Sequence, residues 1–134
     1  MKKKQFFMVL ASMVLLLSAC GETGPPSPES VGNVERGQEI FETGAGLTTQ
    51  ICANCHSLDG SILKEDHPAP SLQGIAELAG ERVSELSSVE YIKQSIVDPS
   101  AYVVDGYSVT MDPSYAYLFS EEDLNDLVAF MLTQ

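Results

Sequence analysis

Positive charge is what this sequence has least of. Its 134 residues carry seven Lys and Arg against nineteen Asp and Glu, a formal net charge of −12. Lys2, Lys3 and Lys4 stand together ahead of an apolar run, and beyond that run only Arg36, Lys64, Arg82 and Lys93 remain, four basic residues against nineteen acidic ones, a balance of −15. So few cations cannot neutralise a phosphate backbone, which counts against nucleic acid as a partner. The acidic field instead steers the molecule toward basic docking surfaces and keeps it soluble. Long apolar stretches are also missing: Phe6 to Leu17 is a run of twelve residues, short of the ~20 that a bilayer-spanning helix needs. No stretch reads as a strand, and no nucleophile or acid–base pair is apparent, so no small-molecule substrate is expected.

Cysteine and histidine are scarce too, with three and two copies, yet three of these five residues fall in one stretch, Cys52-Ala53-Asn54-Cys55-His56. This spacing sets two thiols one helical turn apart with an imidazole on the next residue, which is how haem c is attached. Each thiol can add across a porphyrin vinyl group to form a thioether, and the imidazole then lies under the ring where it can coordinate iron. A structural zinc site would want two further ligands nearby, and the rest of the chain offers only Cys20 and His67. A redox dithiol is the other reading of the two thiols. With Cys52 and Cys55 assigned to haem c, no disulfide is expected, and the haem adds a large apolar core element to a fold of about a hundred residues.

The first nineteen residues read as an export signal, with three lysines, the apolar run, then Ser18 and Ala19. The junction Leu17-Ser18-Ala19-Cys20 resembles the lipobox of bacterial lipoproteins. That resemblance implies cleavage before Cys20 and acyl chains on its thiol, several of which together make a stable membrane anchor; an ordinary cleaved signal beside an incidental cysteine is the alternative. Either way the protein leaves the cytoplasm and faces the periplasm or cell exterior. Gly21 to Gly32, rich in Pro, Gly, Ser and Glu, reads as a flexible tether. The expected organisation is therefore a signal over 1–19, a lipidated cysteine and tether over 20–32, and one folded domain over 33–134.

Within that domain Asn33 can cap a helix that runs through Val34, Gly37, Ile40 and Phe41 toward Gly44. The segment Glu42 to Gln50 and the run Ser57 to Gln73 read as loops. Ser87 and Glu90 form a capping box ahead of a helix through Tyr91, Ile92, Ile96 and Val97 that should end at Asp98 before Pro99. Ser120 caps a last helix, with Phe119 and Leu124 placed as a hydrophobic staple. Its residues Leu124, Leu127, Val128 and Met131 recur at i, i+3, i+4 and i+7, predicting one apolar stripe. The fold class is all-α.

With the haem motif at Cys52 to His56, the Gly37 and Phe41 pair in the first helix, Pro70-Ser71-Leu72-Gln73-Gly74, and Leu127-Val128-Ala129-Phe130 in the last helix, the chain resembles the class I monohaem cytochromes c over about residues 33–134. The resemblance implies a few helices wrapped around one covalent haem c. It implies that Gly37 meets the Phe130 ring, that Leu127 lies near Phe41, that the Pro70 carbonyl accepts a hydrogen bond from the far nitrogen of His56, and that Leu72 packs on the porphyrin.

The residue opposite His56 decides between electron transfer and gas binding. Met8 and Met13 leave with the signal. Met131 sits on the apolar stripe of the last helix as core filling, and His67 is the only other imidazole. Met111 lies in the loop before the last helix, where class I cytochromes c carry their axial Met. That family often has a Pro directly after it, and here Asp112 intervenes before Pro113. Met111 is the expected ligand, with His67 and an open site as alternatives. Tyr91, Tyr102 and Tyr107 are equal candidates to donate to the haem propionates. The function expected is a membrane-tethered, one-electron carrier in a respiratory or photosynthetic chain, an electron-transfer protein and not an enzyme. A subunit docked permanently in a larger redox complex and a five-coordinate sensor or peroxidase are the competing readings.

Overall fold

The computed structural model describes residues 26–66, 69–107 and 111–134. Cys20, the export signal and His67 lie outside them. Among the described residues the secondary structure is helical with no strand: α1 (Pro28–Val31), α2 (Val34–Thr43), α3 (Ile75–Arg82), α4 (Ser88–Val97), α5 (Tyr115–Leu118) and α6 (Glu121–Met131), with short 3₁₀ turns at Gly44–Gly46 and Cys52–Asn54. No helix among them is long and apolar enough to cross a membrane.

The three longest helices begin where side-chain caps are available. Asn33 accepts the Arg36 backbone N–H at 2.8 Å to start α2. Ser87 with Glu90, and Ser120 with Asp123, form reciprocal capping boxes at α4 and α6, each satisfying backbone donors that a helix start leaves without partners. In α2 the buried residues Gly37, Ile40 and Phe41 share one face, and that face lies on α6. The crossing is close because Gly37 has no side chain: a Cβ there would stand 1.9 Å from the Asp126 carbonyl oxygen and 2.9 Å from the Phe130 Cβ. The Phe41 and Phe130 rings then meet at 5.6 Å between centroids, within the range in which tilted aromatic pairs attract. Leu127 belongs to the same core cluster as Phe41.

The last helix departs from the expected single stripe. Asp126, Leu127, Val128, Ala129, Phe130 and Met131 are all buried, since α6 is covered by α2, by α1 and by α4. It is the central helix of the fold. Lys93 of α4 pairs with Glu121 at its start, and Arg36 of α2 approaches Asp123 at 3.8 Å.

Pro28–Val31, read from composition as part of the tether, forms a helical turn on α6. Two residues account for it: Val31 packs on the core, and Gly32 lets the chain run so close to α6 that a Cβ would lie 2.6 Å from the Asn125 backbone. Two further elements, α3 and α5, fall where the sequence reading assigned no helix. The first packs against α4, and α4 also contacts α5.

Candidate haem site

The Cys52–Asn54 turn brings the motif residues to one place. The Cys52 carbonyl accepts the backbone N–H of Cys55 at 3.0 Å and of His56 at 2.9 Å, so the two thiols and the imidazole leave one tight loop of chain. Cys52 and Cys55 are not joined in a disulfide. They open into a cavity of about 890 Å³ whose wall also includes His56, Leu72 and Met111, with Phe41, Ile75, Ile92, Ile96, Phe119 and Leu127 supplying apolar surface. This is within the roughly 300–1,000 Å³ range of cofactor sites.

The segment after the motif is laid back against it. Leu72 donates its backbone N–H to the Ser57 carbonyl at 2.8 Å, and the Ser71 hydroxyl reaches the same oxygen at 3.3 Å. This brings the Pro70 carbonyl to 2.8 Å from His56 Nδ1. A carbonyl can only accept, so Nδ1 carries the ring proton and Nε2 is left with the lone pair that a metal needs. Burial lowers the His56 pKa and so favours the neutral, ligating ring, while the bond to Pro70 acts in the opposite direction.

Burial pushes the Cys52 thiol up to about 11. A redox dithiol or a zinc ligand works through a thiolate made accessible by a lowered pKa, and Cys52 has the opposite environment. No cluster of three or more His, Cys, Asp or Glu residues that could hold a metal is present among the described residues. The apolar cavity and the oriented imidazole beside the two thiols fit haem c.

Met111 lines the cavity from the loop before α5, and Met131, assigned to core filling, lines it too from the end of α6. Tyr91, Tyr102 and Tyr107 all reach the wall; the Tyr91 and Tyr102 rings meet edge to face at 5.8 Å. So do residues that the sequence reading did not single out. Lys64 and Arg82, half of the four cations in the folded part, both face the cavity, and Lys64 Nζ lies 3.8 Å from Cys55 Sγ. Gln50, Asp112 and Tyr115 are also on the wall. The Tyr115 hydroxyl donates to the Gln50 carbonyl at 2.7 Å, and Gln50 Nε2 donates to Asp112 Oδ2 at 2.8 Å. Only the scarcity of cations could have drawn attention to Lys64 and Arg82; the Gln50 contacts span more than sixty residues and leave no local pattern.

No curated protein matches this chain closely. A family model described as Cytochrome c matches residues 34–134, a span that takes in the motif, the whole cavity wall and every helix from α2 to α6. The chain therefore belongs to the cytochrome c family, with haem c held covalently through Cys52 and Cys55 and haem-based electron transfer as its function.

Proposed function

We propose that this protein is a one-electron carrier anchored to a bacterial membrane through lipid on Cys20 and facing the periplasm or cell exterior, with its haem iron held between His56 and Met111. One observation carries the ligation: Met111 and a His56 ring whose Nδ1 proton is committed to Pro70 line the same apolar cavity as the two cysteines. Bound haem supplies a one-electron couple whose potential a thioether ligand raises relative to a second imidazole.

The chain's own residues do the rest. Pro70 fixes the imidazole plane and its tautomer. Leu72 and the apolar wall exclude water, which disfavours the charged ferric form and stiffens the site. Arg82 sets positive charge on the cavity wall, where it can pair with a haem carboxylate, while Lys64 lies beside Cys55 at the thioether edge. The partners are redox proteins, and the acidic balance of the chain suits basic docking faces. Pro28–Gly32 lies on α6, so the tether is the shorter stretch Gly21 to Ser27, which at ~3.1 Å per extended residue spans roughly 22 Å.

The test compares Met111→Ala with Met131→Ala in the haem-loaded protein. Loss of the far-red sulfur-to-iron absorption band of the ferric form and gain of carbon monoxide binding in the ferrous form are expected for Met111→Ala alone. The same changes in Met131→Ala alone would transfer the role to Met131, and a wild type that binds carbon monoxide rapidly would refute thioether ligation. Membrane retention tests the anchor: Cys20→Ala should release the haem-stained protein from washed membranes.

A further inference from the structure

We propose that Gln50 is a positioning residue that clamps the Met111 loop onto the haem motif, and thereby decides how firmly the thioether holds iron against competing ligands. The inference rests on Met111 being the axial ligand and goes beyond it.

Gln50 stands two residues before Cys52 and touches the Met111 segment twice. Its side-chain Nε2 donates to Asp112 Oδ2 at 2.8 Å, on the residue directly after Met111. Its backbone carbonyl accepts from the Tyr115 hydroxyl at 2.7 Å. Between these two points, Asp112 Oδ1 accepts the Ser114 backbone N–H at 2.8 Å, which folds Asp112-Pro113-Ser114 into the turn that starts α5. The result is a closed ring of contacts: Gln50 side chain to Asp112, along the turn to Tyr115, and from Tyr115 back to the Gln50 carbonyl. The Tyr115 ring is itself buried and stacked on Phe119 at 5.4 Å, so this anchor point belongs to the core.

Asp112 thus has a function in this chain. It separates Met111 from Pro113, and its two carboxylate oxygens serve the two arms of the clamp. Gln50 reaches the Met111 loop across sixty-two residues. The side-chain contact at the surface is individually modest, while the Tyr115 contact is partly buried. Together they raise the local concentration of the Met111 side chain at the haem face, which is what a weak thioether–ferric bond needs to outcompete an external base.

The experiment is an imidazole titration of the ferric, haem-loaded protein, with the far-red band followed as the thioether is displaced. Wild type, Gln50→Ala, Gln50→Glu, Gln50→Lys and Tyr115→Phe are compared. Gln50→Ala should bind imidazole about fivefold or more tightly, with the band intact before imidazole is added. Gln50→Glu, which sets a second carboxylate against Asp112, should bind it more tightly still, and Gln50→Lys, which restores a donor, should stay near wild type. Tyr115→Phe should loosen the loop through the other arm. A purely structural role for Gln50 would move the melting temperature without this ordering of ligand affinities. Equal affinities in wild type, Gln50→Ala and Gln50→Glu, with the band lost in Met111→Ala, would overturn the clamp alone. Absence of the band in wild type would overturn the ligation reading and the clamp with it.

Discussion

The Asp126 carbonyl oxygen of α6 occupies the space that a side chain on Gly37 of α2 would need, 1.9 Å from an ideal Cβ. The obstructing atoms are backbone, so no rotamer change relieves the clash. Gly37→Ala must separate the helices, parting the Phe41 and Phe130 rings. The loss should lie at or beyond the top of the roughly 1–3 kcal/mol that overpacking costs. Gly46→Ala is the control: its φ of +76° is strained for alanine, yet nothing lies within 4 Å of the added carbon, so only the left-handed penalty of roughly 1–2 kcal/mol applies. Urea midpoints of the two haem-loaded variants check the ranking, and equal midpoints would refute the close crossing.

The features legible in the sequence are those with local causes. Asn33, Ser87 and Ser120 announce α2, α4 and α6 because a cap acts within three residues. The motif is readable because its five residues are contiguous, and Pro70 because the segment Pro70 to Gly74 resembles the family's. By contrast, α3 begins after Gly74, which offers no side-chain cap, while α5 is a single turn. The helical turn Pro28–Val31 was hidden by a composition typical of linkers; its cause is Gly32 meeting a backbone almost a hundred residues away. The all-round burial of α6 likewise depends on partners that periodicity within one helix does not reveal. Gln50, Asp112 and Tyr115 are individually unremarkable polar residues, and only the folded chain places them on one wall.

Asp126 is buried and accepts the Asn33 backbone N–H at 2.7 Å, tying the start of α2 to α6. Asp126→Ala removes the partner of that donor, and because Asn33 is itself exposed the loss should be that of an ordinary hydrogen bond to a charged group, about 1–2 kcal/mol. Asp126→Asn keeps an oxygen in place and loses only the attraction between a carboxylate and a helix N-terminus, typically about 0.3–1 kcal/mol. Denaturation of the three proteins at one pH should give wild type above Asn above Ala; an Ala variant as stable as wild type would show that the contact carries no net stability.

Tyr115 gives a dependence on alkaline pH. Its phenol is pushed up to about 12 from the usual 10.0, by burial first and then by the charges of Cys52, Cys55 and Asp112 when ionised. Thioether formation removes the two sulfur charges and leaves burial, so the direction is unchanged in the haem-loaded protein. Because the folded state holds this proton more tightly than the unfolded chain, the contribution to stability is full below about pH 10 and is lost as pH rises toward about 12. Tyr115→Phe should remove the phenolate absorbance that develops in this upper range and flatten the loss of stability there. If the variant titrates with the same late-ionising absorbance as wild type, another tyrosine is responsible.

The excess of acidic residues predicts the sign of the salt effect on electron exchange. A folded part with four basic residues attracts cationic reagents and repels anionic ones, and added salt screens both, with a Debye length that falls from about 30 Å at 0.01 M to about 10 Å at 0.1 M. Reduction by a cationic metal complex should therefore slow, by roughly tenfold, across a salt range in which reduction by an anionic complex accelerates and a neutral one is unchanged. Stopped-flow rates with the three reagents separate steering from solvation. Rates with the cationic and anionic complexes that are equally indifferent to salt would mean that the negative charge lies away from the haem edge, and that acidity serves solubility while apolar contact selects the redox partner.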